Sequence, residues 1–181
     1  APGDEGARVR RDAVGQAVSE RDFRGRCLSG ETIAEDAYVI VPLMEHCRKV
    51  AFSTAQKYYY VHRRESLTTS GFRWSDLGSV EVWDHNQNVV EERHPALKKE
   101  AGVRCCWARF FVLDKLMLLE TMDAEKKALA KRLAKELKKH PLLVLEGDHF
   151  TNGRKIAYLT LFLGTGIYRQ CVRALFRKRN L

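Results

Sequence analysis

The sequence predicts a mixed α/β fold that is rich in helix, and three observations support this class. Residues 33–49 have the apolar density of a helix. The stretch that follows, "VAFSTAQKYYYVHR", has the β-branched and aromatic content of a strand. After a loop rich in Ser, Thr and Gly, helices are expected at about 75–93, about 101–121 and 123–139.

These elements divide the chain into three parts. Residues 1–12 are expected to form a mobile N-terminal segment, and residues 13–72 hold the helix–strand pair. Residues 73–181 are expected to form a helical C-terminal region that ends in a basic amphipathic stretch.

The helix at 123–139, "DAEKKALAKRLAKELKK", has the strongest pattern. Asp123 stands where a side chain can cap the first turn. The apolar face repeats every four residues at Leu129, Leu133 and Leu137. Its lysines are therefore expected to face solvent.

The composition is that of a globular protein with a basic end. The 181 residues are 45% hydrophobic and 30% charged, and the net charge is +9. No Asp or Glu follows Asp148, whereas seven Lys and Arg do. Such an end favours a polyanionic partner, either nucleic acid or anionic lipid. No signal peptide can be read in the first residues, which are expected to be a cut or processed terminus.

The cysteines indicate a reducing, cytoplasmic environment. Their number is odd and no two have CxxC spacing, which argues against a disulfide framework or a zinc site. The five are Cys27, Cys47, Cys105, Cys106 and Cys171. The adjacent pair in "VRCCWARFFVL" is expected to be small core residues.

An acidic pair begins the apolar helix in "ETIAEDAYVIVPLMEHCRKV". A capping box formed with Thr32 accounts for Glu35. It does not account for Asp36, which at helical spacing continues a stripe formed by Ile40, Leu43 and Cys47. Asp36 is therefore either a helix-end carboxylate with a structural role or a functional carboxylate at the rim of the core. Pro42 predicts an irregularity in this helix.

The strand that follows ends in basic and hydroxyl residues. Its alternation puts Tyr58, Tyr60 and His62 on one face. It then runs into Arg63 and Arg64 and a loop with Ser66, Thr68 and Thr69. These groups could bind a phosphate, since guanidinium groups bind phosphate in a bidentate way. The alternative is an ordinary edge strand with surface charge.

The two segments together, "EDAYVIVPLMEHCRKVAFSTAQKYYYVHRRESLTTS", resemble the C-terminal half of family-2 glycosyltransferases of the GT-A fold. Members of that family have a Glu-Asp pair at the start of a helix, then an "xKV" strand, Tyr-Tyr-Tyr with a basic residue, and Ser-x-Thr-x-Ser. The close match covers 36 residues. A looser match extends upstream through "AVGQAVSERDF" and downstream into a helical tail typical of bacterial enzymes that assemble polysaccharides.

The resemblance implies an inverting glycosyltransferase and a role for each matching residue. Asp36 matches the catalytic base that takes the proton of the acceptor hydroxyl, and Glu35 is its usual neighbour. Arg63 matches the position near the donor diphosphate, with His62 and Arg64 beside it. The acceptor cleft would be lined by Tyr38, Tyr60 and Ser66.

The resemblance also implies partners and a location. The donor would be a nucleotide sugar and the acceptor a glycan or a lipid-linked molecule, at the inner face of the cytoplasmic membrane. A divalent cation, Mg or Mn, is expected, with its main ligands outside this chain. The family's donor-binding half, which ends in an Asp-x-Asp motif, is not found, and residues 1–30 contain no such motif. The chain is thus expected to be a C-terminal portion that turns over poorly alone.

The basic end has two interpretations. The apolar run "IAYLTLFLGTGIY" has thirteen residues, fewer than the roughly 20 that a membrane-spanning helix requires. Beyond it, apolar residues recur at helical spacing and are opposed by arginines, the pattern of a helix that lies on an anionic membrane through residues 167–181. The alternative is a last helix that packs on the core.

Two other classes of function compete with glycosyl transfer. One is a non-catalytic nucleic-acid-binding module that uses the basic tail, with residues 58–60 as a stacking platform. The tyrosines and the charge lie far apart in the sequence and no nucleic-acid-binding signature is present, so no nucleic acid is expected as partner. The other is a plain interaction domain.

Overall fold

The chain divides into two compact units in a computed structural model. The N-terminal unit comprises Ala1–Gly30 and Glu35–Ser70, and the C-terminal unit comprises Glu31–Ala34 and Gly71–Leu181. The structure describes residues 8–10, 35–51, 60–62 and 71–179. Side chains are described for residues 36–51 and 71–176.

The described part of the N-terminal unit contains one helix and a small antiparallel strand pair. Helix α1 spans Glu35–His46. Strand β1 spans Arg8–Arg10, inside the segment 1–12 that was predicted to be mobile, and pairs with strand β2, which spans Tyr60–His62. Strand β2 confirms part of the strand predicted from the tyrosine-rich stretch.

Helix α1 buries two of its described side chains. Ala37 and Leu43 are 7% and 6% exposed, although a spacing of six positions places them about 120° apart around the helix. Pro42 lies inside the helix, where it supplies no backbone N–H, yet α1 continues to His46. The predicted irregularity therefore does not end the helix.

The C-terminal unit is helical throughout its described part. It begins with a 3-10 turn at Trp74–Leu77 and has a second one at Pro95–Leu97. The α-helices are α2 (Gly78–Arg93), α3 (Lys98–Leu118), α4 (Ala124–Leu137), α5 (Pro141–Leu145), α6 (Asn152–Leu163) and α7 (Thr165–Arg179). The first three confirm the helices predicted at 75–93, 101–121 and 123–139.

Helix α3 is the centre of this unit. It packs against α2, α4, α5 and α7. The core it organises includes the fully buried Phe110, Leu113 and Leu116, together with Leu137 from α4 and Tyr158 from α6. Each of these large apolar side chains stabilises the fold by about 1.5–3 kcal/mol relative to exposure.

Helix α4 has the predicted amphipathic structure. The Asp123 carboxylate accepts a hydrogen bond from the backbone N–H of Lys126 at 2.8 Å, which caps the helix as predicted. The predicted apolar face is buried, at 5%, 3% and 0% exposure for Leu129, Leu133 and Leu137. Lys127, Lys131 and Lys135 are exposed, which confirms that they face solvent.

The predicted α/β class, a part of a GT-A fold followed by a helical extension, is wrong. Such a fold needs a parallel sheet whose strands are joined by helices. In the described residues the only strands are β1 and β2, each of three residues, and they pair antiparallel. The β-branched and aromatic residues of "VAFSTAQKYYYVHR" indicate a strand in that segment only. They carry no information on whether other strands exist to pair with it.

Candidate functional site

Asp36, the predicted catalytic base, lies on the first turn of α1 and is exposed. Its Oδ1 accepts a hydrogen bond from the backbone N–H of Ala37 at 2.9 Å. This contact and the helix dipole both stabilise a negative charge at this position. Because the Asp36 side chain is exposed, its carboxylate is open to solvent and to any group that approaches the N-terminal end of α1.

The other residues of the predicted site are described only in part. The side chain of Tyr38 is 51% exposed, so it is open to contact by another molecule. Glu35 is the first residue of α1, and Tyr60 and His62 are the ends of β2, where they pair with Arg10 and Arg8. The side chains of Glu35, Tyr60 and His62 lie outside the described part, as do Arg63, Arg64 and Ser66 entirely.

A metal site is not formed by the described residues. Among them, no three His, Cys, Asp or Glu side chains come close enough together to hold an ion. The divalent cation implied by the resemblance therefore has no ligand set in the described part of this chain.

Three side chains form a buried polar cluster that the sequence did not suggest. Asp114 on α3 accepts a hydrogen bond from Arg154 at 2.6 Å and another from the Tyr168 hydroxyl at 2.5 Å. Arg154 also donates to the Tyr168 hydroxyl at 3.1 Å, which closes the triangle. Burial is the main cause that raises the pKa of Tyr168 well above its usual value, so this residue stays a hydroxyl donor.

A second buried ion pair involves Lys115, which follows Asp114 on α3. Lys115 donates to Asp76 at 2.9 Å, and their side chains are 7% and 0% exposed. Asp76 also accepts the backbone N–H of Arg73 at 2.8 Å. Consecutive charged residues on α3 thus fasten different elements: Asp114 holds α6 and α7, and Lys115 holds the turn that precedes α2. The sequence feature that could have indicated these buried ion pairs is the charged pair Asp114–Lys115 inside the apolar run "FFVLDKLML".

A third polar cluster contains the cysteine pair of α3. Arg109 binds the Asp84 carboxylate through both Nη atoms, at 2.8 and 2.9 Å. Burial raises the pKa of Cys105 to about 12 and that of Cys106 to about 11. The thiol form of both side chains is therefore favoured, which agrees with the predicted core role. They are 4% and 1% exposed.

Helix α7 packs on the core, which favours the second interpretation of the basic end. Tyr168 and Val172 are 0% and 1% exposed. Arg169 donates to the carbonyl oxygens of Met117, Leu119 and Glu120, and Arg173 donates to those of Met117 and Leu119. These arginines therefore satisfy carbonyls at and just beyond the C-terminal end of α3, where cations also interact favourably with the helix dipole.

No family model matches this chain, and no curated protein or solved structure is significantly similar to it. Its function has therefore to be inferred from its own residues. None of the helices in the described part is both long and apolar enough to cross a membrane.

Proposed function

We propose that this chain is part of a glycosyltransferase that moves a sugar from a nucleotide-sugar donor to a glycan or lipid-linked acceptor at the cytoplasmic face of a membrane. The ordered motif of residues 35–70 supports the proposal. The observation that carries it is the exposure of Asp36 on the first turn of α1, because a base must reach its acceptor. The proposal does not depend on the α/β architecture, which the described residues do not form.

The proposed reaction is a single displacement. The Asp36 carboxylate takes the proton of the acceptor hydroxyl as its oxygen forms a bond to the anomeric carbon of the sugar. The bond from that carbon to the donor phosphate breaks, and the nucleoside diphosphate leaves with the electron pair. In this proposal Arg63, with His62 and Arg64 beside it, stabilises the negative charge that develops on the leaving diphosphate. A divalent cation, where bound, would stabilise the same charge.

The contacts of the basic end argue against a nucleic-acid-binding module. Four of its seven cations are engaged within the molecule. Arg154 pairs with Asp114, and Lys155 donates to the carbonyl of Gly147. Arg169 and Arg173 bind carbonyls at the end of α3. A phosphate backbone would have to displace these contacts in order to recruit them. The binding of a polyanion through a row of free cations is therefore the weaker proposal.

The test replaces Asp36 by Asn in the protein that contains residues 1–181. The amide keeps an oxygen that can accept the Ala37 N–H, so α1 should be retained. We expect the release of nucleoside diphosphate in the presence of acceptor to fall about a hundred- to ten-thousand-fold, the usual contribution of a general base. The assay uses a panel of nucleotide sugars.

The matched control is Glu45→Gln, which removes an exposed carboxylate from the other end of the same helix. This variant is expected to keep the wild-type rate. Sugar transfer by Asp36→Asn at a rate within a few-fold of wild type would exclude Asp36 as the base.

A further inference from the structure

Helix α6 exposes a row of large apolar side chains. Ile156, Leu159, Phe162 and Leu163 are 61%, 51%, 53% and 71% exposed, and we call them the α6 face. They lie on successive turns of a helix of 12 residues. Exposed apolar groups that are contiguous in this way mark an interaction surface more often than isolated ones do.

The opposite side of α6 is already occupied by the core of its own unit. Ala157, Tyr158 and Leu161 are all 0% exposed, and the Tyr158 hydroxyl donates to the carbonyl of Leu137 at 3.2 Å. The helix is therefore apolar on both sides, although only one side is covered. A helix that is apolar all round is normally buried all round.

The surroundings of the α6 face are cationic. The Lys138 ammonium lies 5.6 Å from the centre of the Phe162 ring. Lys155, which precedes Ile156, adds a second positive charge, and its ammonium donates to the Gly147 carbonyl at 2.7 Å. No acidic residue occurs in α6 or anywhere after Asp148. Ile167, just beyond the turn at Gly164, is also 44% exposed.

We propose that the α6 face binds an anionic membrane surface, with α6 lying in the plane of the interface. Its apolar side chains would enter the boundary between headgroups and acyl chains, while Lys138 reaches lipid phosphates. The charge argues against a second copy of this chain as the occupant. Two copies, each with a net charge of +9, would bring the same lysines together. The inference goes beyond glycosyl transfer and does not depend on it.

The test is flotation of the full chain with vesicles of phosphatidylcholine alone or of phosphatidylcholine mixed with phosphatidylglycerol. We expect the chain to float with the mixed vesicles, and the double variant Leu159→Ser, Leu163→Ser to partition at least about tenfold less. The matched control is Leu97→Ser, Leu142→Ser, which removes side chains that are 52% and 65% exposed elsewhere. It should partition within about twofold of the wild type. Circular dichroism checks the fold, and Leu163→Ser alone replaces the double variant if that unfolds.

Equal flotation of the wild type and the α6 variant would overturn the proposal, and so would the failure of the wild type to float with anionic vesicles. Dimerisation in sedimentation experiments that the same variant abolishes would assign the face to a second copy instead. Because the readout is lipid binding, none of these outcomes bears on the Asp36→Asn result.

Discussion

At the scale of single residues, the most informative group is the triangle of Asp114, Arg154 and Tyr168. A buried carboxylate is tolerated only when its oxygens are hydrogen-bonded and its charge is paired. Here the two donors come from α6 and α7, so the cluster joins three helices through one side chain of α3. Its role is to fix how these helices pack, because each donor must reach its own oxygen.

The Tyr168→Phe variant tests this role, because it removes one of the two donors to Asp114. We expect the free energy of unfolding to fall by about 1–3 kcal/mol, since a buried charged group loses a hydrogen bond. The measurement is urea denaturation at neutral pH. The control is Tyr158→Phe. This tyrosine is also 0% exposed, but its hydroxyl donates only to a neutral carbonyl, and a loss of about 0.5–1.5 kcal/mol is expected there. Equal losses would contradict a special role for the triangle.

Such residues also show what the sequence could and could not predict. The core positions of α4 and the cap at Asp123 were predicted correctly, because both depend on spacing within one helix. The pairing of Asp114 with Arg154 joins residues 40 positions apart, and nothing in the local pattern specifies it. The predicted donor-site arginine Arg63 lies outside the described residues, so its position near the donor diphosphate stays a prediction.

At the scale of secondary-structure elements, the contact between α7 and the end of α3 decides how the basic tail is used. The amphipathic pattern of α7 predicted two arrangements equally well, because an apolar face can pack on a core or on a lipid surface. The burial of Tyr168 and Val172 and the carbonyl contacts of Arg169 and Arg173 favour the first. A row of exposed apolar side chains lies instead on α6, at Ile156, Leu159, Phe162 and Leu163.

The double variant Arg169→Met, Arg173→Met tests whether these contacts hold α7 in place. Methionine keeps much of the apolar stem but cannot donate to the carbonyls of α3. We expect a loss of stability of about 1–3 kcal/mol, with faster hydrogen exchange of backbone amides in α7 than in α4.

The control for this prediction is the pair Lys131→Met and Arg132→Met, which changes two exposed basic residues on α4. It should alter the stability by less than about half a kcal/mol, as is usual at exposed positions. The same loss in both double variants would show that positive charge in general, and not the contact with α3, is responsible.

At the scale of the whole molecule, the predicted α/β class failed while most of the predicted helices of the C-terminal unit were confirmed. Helices are specified by residues three and four apart, which one segment shows by itself. A parallel sheet is specified by strands far apart in the chain, and the sequence showed only one of them. The proposal of glycosyl transfer therefore depends on the sequence motif around Asp36 and not on the architecture.

The C-terminal unit should fold without the rest of the chain. The described buried apolar residues of this unit lie between Val82 and Val172, on α2 to α7 and the loop before α6. We expect a fragment of residues 71–181 to give a helical circular dichroism spectrum and a single cooperative unfolding transition. A shorter fragment of residues 71–164 lacks Tyr168 and Val172, as well as the arginines that bind the end of α3. It should lose cooperative unfolding, because Asp114 then keeps a buried charge with one donor fewer. A disordered 71–181 fragment would show that its core depends on residues that precede Gly71 in the chain.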